Sequence, residues 1–486
     1  MNHQENCTLS QKTGTQLSKS SLHVRKLAGI GAVFALVFCA SAALAFTGSS
    51  FGIIPTFQQF VDPDGRFATL NTSGATDTAK NPFFQDLGTN GRRCVTCHQP
   101  SDAWSVTPSH IRARFNATRG TDPIFRTVDG SGCSTQDVST EAARRKSYNL
   151  LLHKGLLRIE QTVPDGAEFT VLNNDNPYGC DSVSAISAYR RPLPATNLRF
   201  LSTVMWDGRE TLKNPDGSFK SITDDLAQQA TDATMGHAQG QTPTAKQVRQ
   251  IVEFESGLFT AQVNDRDAGD LNDGDADGGP LHLQRQKFFI GINDPLGQNP
   301  TGAPFSPKIF DIFSGWSNID NRRYDEHTAA RRSIARGEQL FNTLQISITD
   351  VGGLNDALNQ PVIKGTCGTC HDSPNVGDHS VAAPLNIGIV DESQRTPDLP
   401  LVTVVCNATG KMTRVTDLGR AMVTGKCADI GKFKGPILRG LAGRAPYFHN
   451  GSAATLDDVI DFYQTRFNLN LSRRDKEDLV AFLKSL

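Results

Sequence analysis

Two stretches of the chain, CVTCHQP at 94–100 and CGTCHDS at 367–373, carry one arrangement: a cysteine, two spacers, a second cysteine and a histidine. Each pair of thiols can add to the two vinyl groups of a haem while the adjacent histidine reaches the iron. Cys94, Cys97 and His98 would form one such centre, and Cys367, Cys370 and His371 a second. A redox dithiol accounts for Cys-x-x-Cys but not for the histidine that follows in both copies. A zinc site would usually join paired Cys-x-x-Cys elements into one centre. The spacing therefore points to two covalently attached c-type haems.

Such haem is attached outside the cytoplasm, and the N-terminus reads as an export signal. Arg25 and Lys26 precede the apolar run from Leu27 to Ala45, which closes on the small-x-small pattern Ala43-Leu44-Ala45. Residues 1–45 are thus expected to be a signal peptide and the mature chain periplasmic. The alternative is an uncleaved membrane anchor, since the run is long enough to span a bilayer. Cys39 lacks the small residues that a lipoprotein signal places before its cysteine, and no other segment is apolar enough to span a membrane. Beyond the signal and the haem motifs remain Cys133, Cys180, Cys406 and Cys427. An even remainder in an oxidising compartment predicts Cys133 with Cys180 and Cys406 with Cys427, the alternative being four free thiols.

The elements that must position these residues are read from composition and pattern. A chain of 486 residues is long enough for two domains, and the division expected is 46–330 and 331–486, with one haem motif in each. The formal net charge of −1 gives no reason to expect nucleic acid as a partner. Residues 46 to about 135 read as irregular and turn-rich, STEAARRKSYNLLLHKGLL as a helix, and 167–173 as strand-like. NDRDAGDLNDGDADGGP at 264–280 reads as an acidic, Gly-rich loop. Asp273, Asp275, Asp277 and Gly278 match the start of a calcium loop, but Gln284 stands where a bidentate Glu belongs. From RRSIARGEQLFN onward the pattern turns helical, and Thr455 with Asp458 and Ser472 with Asp475 stand at capping-box spacing.

WDGRETL at 206–212, GEQLFN at 337–342 and FKGPILRGLAGRAPYFHNGSAATLDDVIDFY at 433–463 resemble the bacterial di-haem cytochrome c peroxidase and MauG family. The order of motifs is also the family's, and the likeness runs over roughly 84–486, loosest between 100 and 190. It implies a mainly α fold: two cytochrome c-like haem domains with long loops and little sheet, the N-terminal one carrying insertions.

The resemblance also divides the labour between the haems. The N-terminal haem, with His98 proximal, would carry the reactive iron and the C-terminal haem, with His371 proximal, would pass electrons. For the sixth position of the second haem, Tyr463 matches the tyrosine of MauG-like members; Met412 or Met422 is the alternative, and packing on a helix face with Val459 and Phe462 is the plain reading. Trp206 matches the family's tryptophan between the haems, where it would relay electrons. The family's distal Glu-Met-Gly is replaced by Thr234-Met235-Gly236, so the acid–base carboxylate is missing; His237, Gln229 or Asp232 could substitute. His110 is a candidate switching ligand. The family's calcium site would fall on Asn197 and the carbonyls of Arg444 and Pro446.

Three functions follow from the resemblance. The first is a periplasmic peroxidase drawing electrons from a small c-type cytochrome or copper protein. The second is a MauG-like or rubber-oxygenase-like enzyme that uses peroxide or dioxygen to oxidise an organic or protein substrate. The third is a non-catalytic electron-transfer cytochrome.

Overall fold

The computed structural model describes residues 52–319 and 326–486. The expected signal peptide lies outside them, and among them no helix is long and apolar enough to cross a membrane.

Helices account for 29% and strands for 18% of these residues. The expectation of a mainly α chain with little sheet is therefore corrected: the fold mixes α and β. A four-stranded antiparallel sheet runs in the order Phe57–Asp62, Gly65–Asn71, Leu258–Asp265, Gly269–Asp270. A three-stranded sheet runs Met412–Val415, Leu401–Cys406, Phe169–Asp175. In both, the central pairing joins segments far apart in sequence: Leu70 opposes Phe259 and Val404 opposes Val171. Local pattern cannot show such pairing, because each strand is short and its partner lies outside any window. The stretch read as turn-rich accordingly holds two of these strands and the Pro108–Thr118 helix.

The helix expected through 139–157 forms as two short pieces, Glu141–Ser147 and Asn149–Lys154. Gly155, at φ 63°, ends the second piece in a left-handed cap that a β-carbon would disfavour. The C-terminal half is more helical. Thr328–Thr343 packs against Arg473–Lys484, and Gly337 lets the backbones meet, since a β-carbon there would stand 2.0 Å from the Asp478 carbonyl oxygen. Phe341 and Phe482 close this core with Phe310, Phe313 and Trp316 from the preceding segment. Both predicted capping boxes form, Thr455 at the Leu456–Arg466 helix and Ser472 at Arg473–Lys484. Cys133–Cys180 and Cys406–Cys427 are disulfide-bonded, with Cα atoms 5.6 and 6.0 Å apart. The acidic loop is held by its own chain: Asp273 pairs with Arg331 at 3.2 Å and Asp277 with His282 at 3.0 Å.

Candidate haem centres

Each haem motif forms a single helical turn that turns its histidine inward. At Cys94–Cys97 the Thr96 hydroxyl accepts from the Arg93 N–H, and Thr369 does the same for Thr366 at Cys367–Thr369. His98 Nδ1 donates to the Trp104 carbonyl at 3.1 Å, and His371 Nδ1 donates to the Gly377 carbonyl at 2.6 Å. A carbonyl can only accept, so both rings carry the proton on Nδ1 and keep Nε2 free for a metal. Burial lowers both imidazoles to about 4, so both are neutral at physiological pH. The four cysteines are free of disulfides. Burial pushes Cys94, Cys367 and Cys370 up to about 12. A redox dithiol needs a depressed thiol, so this environment argues against that reading.

Around His98 the packing is aromatic. Phe83 lies 6.3 Å from the imidazole, and Phe254 lies 5.0 Å from Phe83 and 5.5 Å from Trp104.

The C-terminal motif opens on a cavity enclosing about 1790 Å³, its mouth included. Cys367, Cys370, His371 and Tyr463 line it, with apolar walls that include Leu344, Ile346, Leu385 and Leu469. Tyr463 stacks on Phe467 at 6.2 Å, and burial followed by the two cysteines raises its phenol. Neither methionine lines the cavity; Met412 is exposed and Met422 is buried in a separate cluster.

Three cations also line the cavity: Arg191, Lys434 and Arg444. Burial lowers both arginines to about 10 and Lys434 to about 8, with Asp378 acting against the shift at Lys434. The bonds of Arg191 go to backbone carbonyls, those of Lys154, Gly155, Val106 and Arg444, and Arg444 Nε has no partner. Buried guanidinium groups short of a counter-charge suit an anionic ligand. Apolar walls, vinyl-reactive thiols, a free imidazole nitrogen and such cations fit a haem and its propionates.

Trp206 lines the same cavity, and its motif explains its placement. Asp207 is wholly buried and accepts from Arg190 at 2.5 Å and Arg209 at 3.1 Å; Arg190 reaches on to Asp417 at 2.7 Å. Burial would raise Asp207, but the two arginines hold it at about 2. Trp206 Nε1 then donates to the Arg191 carbonyl at 2.8 Å, and its ring stands 6.2 Å from His449, which stacks on Phe433 at 4.1 Å.

Comparison with known proteins bears on what these centres are. No family model matches the chain. It is 37% identical over 133 residues to cytochrome-c peroxidase IdrP2 of Denitromonas iodatirespirans, covering 25% of this chain and 36% of that protein. It is 30% identical over 142 residues to cytochrome c551 peroxidase of Nitrosomonas europaea, covering 28% and 36%. Over these stretches the chain is similar to bacterial cytochrome c peroxidases. The matched stretches span about a third of these relatives' length. A solved structure of a MauG-like protein associated with microbial copper homeostasis aligns over 84% of this chain and 86% of its own, at 16% identity and a TM-score of 0.37.

The expected distal residues fall as follows. His237 caps the Ile222–Gly236 helix, and its Nδ1 lies 2.6 Å from Asp129, which Arg92 holds at 2.5 Å. Gln229 is half-buried on the same helix. Asp232 pairs with Gln228 at 3.0 Å, and Thr234 spends its hydroxyl on the Ala230 carbonyl. His110 pairs with Asp102 at 2.5 Å.

The donors proposed for calcium are committed elsewhere. Asn197 bonds Thr260 through both ends of its amide, at 2.9 Å each, and the Arg444 carbonyl accepts from the Arg191 guanidinium at 3.2 Å. A cation already pairing with that carbonyl does not fit a calcium ligand set, which needs several free oxygen donors.

Sequence reasoning missed Glu255. This side chain is 4% exposed on the Ala245–Ser256 helix, next to Phe254, and its Oε1 has no partner. Burial lifts its carboxyl to about 8, and its charge acts on Cys94. Nothing local separates it from the exposed Glu253 two residues earlier. It also missed Arg191, Lys434 and the side chain of Arg444, which come together only through the fold.

Proposed function

We propose that this chain is a periplasmic di-haem c-type oxidoreductase that reduces hydrogen peroxide at the N-terminal haem with electrons relayed through the C-terminal haem. The observation that carries the reading is the repeated geometry at His98 and His371: a buried neutral imidazole, oriented by a carbonyl, beside two free buried thiols. Residues 1–45 direct export, and the segments 46–330 and 331–486 hold one haem each.

Haem iron bound at these sites supplies the electron chemistry. The protein's share is placement and proton movement. Reducing one peroxide to two waters takes two electrons and two protons. His237, oriented by Asp129, moves a proton from the inner to the outer peroxide oxygen, and Gln229 stands on the same helix to orient the substrate. Trp206 passes electrons from the C-terminal centre, fed by a small c-type cytochrome or copper protein.

A second reading, oxidation of an organic or protein substrate, is favoured by one observation: Tyr463 lines the C-terminal cavity and, among the described residues, no methionine does. An oxygen donor stabilises ferric iron relative to a thioether. The test is a resting-state EPR spectrum with peroxide turnover of the holoprotein. One high-spin and one low-spin haem, with turnover lost in His98→Ala, is the expected result. Two low-spin haems and no reaction with peroxide would leave electron transfer alone. Peroxide consumption without a protein electron donor, coupled to substrate oxidation, would favour the second reading.

A further inference from the structure

The two motif histidines are held by carbonyls in different situations. The Gly377 oxygen accepts from His371 at 2.6 Å, whereas the Trp104 oxygen accepts both from His98 Nδ1 at 3.1 Å and from the Ala195 N–H at 2.9 Å. The exact setting of Trp104 therefore decides how much of that carbonyl His98 keeps.

The carbonyl belongs to a strained turn. Ala103 and Trp104 both adopt left-handed backbone, at φ 49° and 62°, and each is 1% exposed. A β-carbon makes that conformation unfavourable, so two such residues in succession persist only where their surroundings hold them. Asp102, also 1% exposed, supplies the hold on one side. Its carboxylate accepts from the Thr107 N–H at 2.9 Å, the Thr107 hydroxyl at 3.0 Å and His110 Nδ1 at 2.5 Å, and its carbonyl accepts from the Ser105 N–H at 3.1 Å. On the other side the Trp104 indole donates to the Thr69 hydroxyl at 3.0 Å. His110, on the Pro108–Thr118 helix, is the most exposed of these partners, at 47% of its side chain.

We propose that Asp102 and His110 are positioning residues for His98: the pair pins the left-handed turn and so keeps the Trp104 carbonyl on the imidazole. The assignment rests on reading His98 as the proximal ligand of the N-terminal haem. A proximal imidazole that donates from Nδ1 is the more basic ligand and favours ferric iron. If the turn relaxes, the shorter bond from the Ala195 N–H retains the carbonyl and His98 loses its share. The reduction potential of that haem then rises.

The test uses full-length protein with both haems attached and reads the two potentials by spectroelectrochemical titration below pH 6.5, where the Asp102 hydrogen bond keeps His110 charged. Protein carrying Cys94→Ser and Cys97→Ser, which holds only the C-terminal haem, assigns the values. His110→Ala removes a positive charge, which through electrostatics alone lowers a haem potential; release of the turn raises it, so the sign separates the two roles. His110→Ala should raise the N-terminal potential and leave the other in place, and His110→Gln, which keeps a donor for Asp102, should not raise it. An N-terminal potential unchanged or lowered in His110→Ala would overturn the proposal, as would a rise that His110→Gln reproduces in full or that both haems share equally. Peroxide plays no part in this readout: a holoprotein that ignores peroxide refutes the function proposed above and leaves the potentials to answer this question, whereas a chain with no haem on Cys94 and Cys97 overturns both.

Discussion

Replacing Glu255 by glutamine should change how stability depends on pH, and by an amount the structure sets. The carboxyl is 4% exposed, no counter-charge offsets its burial, and it titrates at about 8 rather than 4.5. Between those values the folded state keeps a proton that the unfolded state has released. Stability therefore falls as pH rises through that window, by about 1.4 kcal/mol per pH unit for one proton, and is flat on either side. From pH 5 to pH 7 the wild type should lose about 2 to 3 kcal/mol relative to Glu255→Gln, which has no proton to lose. The assay is denaturant unfolding of both holoproteins at pH 5, 6 and 7, read as the difference between the two at each pH. The glutamine variant should gain on the wild type as pH rises. If the two lose stability in parallel, Glu255 is ionised and partnered in the folded protein, and the reasoning from burial fails.

Three further outcomes bear on the centres themselves. Tyr463→Met should raise the reduction potential of the C-terminal haem, and Tyr463→Phe should move its spectrum toward high spin. Redox titration and optical spectra check both, and unchanged values would reduce Tyr463 to packing. His237→Gln should slow peroxide turnover by about a hundredfold to ten-thousandfold without removing either haem, checked by steady-state kinetics; a loss under tenfold would place the proton transfer elsewhere.

Much of the chemistry was legible because it is written in short spacings. Cys-x-x-Cys-His needs only neighbouring residues to place two thiols beside an imidazole, so both motifs and the histidines they carry could be read directly. The capping boxes at Thr455 and Ser472 are equally local. The two disulfides followed from which cysteines the motifs left over, and nearest neighbours proved close enough to bond.

The sheets were not legible. Gly65–Asn71 finds its partner at Leu258–Asp265, and Phe169–Asp175 finds its own at Leu401–Cys406, so hydrogen bonding across long loops decided what short apolar runs would become. Burial was decided the same way. Glu253 and Glu255 are alike as sequence, yet the fold exposes the first and takes the second out of water. Nothing in the sequence joins the side chains of Arg191, Lys434 and Arg444; only the fold closes them around one cavity. Sequence by itself determined where two thiols and an imidazole stand together, because covalent spacing fixes that. Tertiary structure alone decided which charges lose their water, because desolvation depends on everything packed around a group and not on its neighbours in the chain.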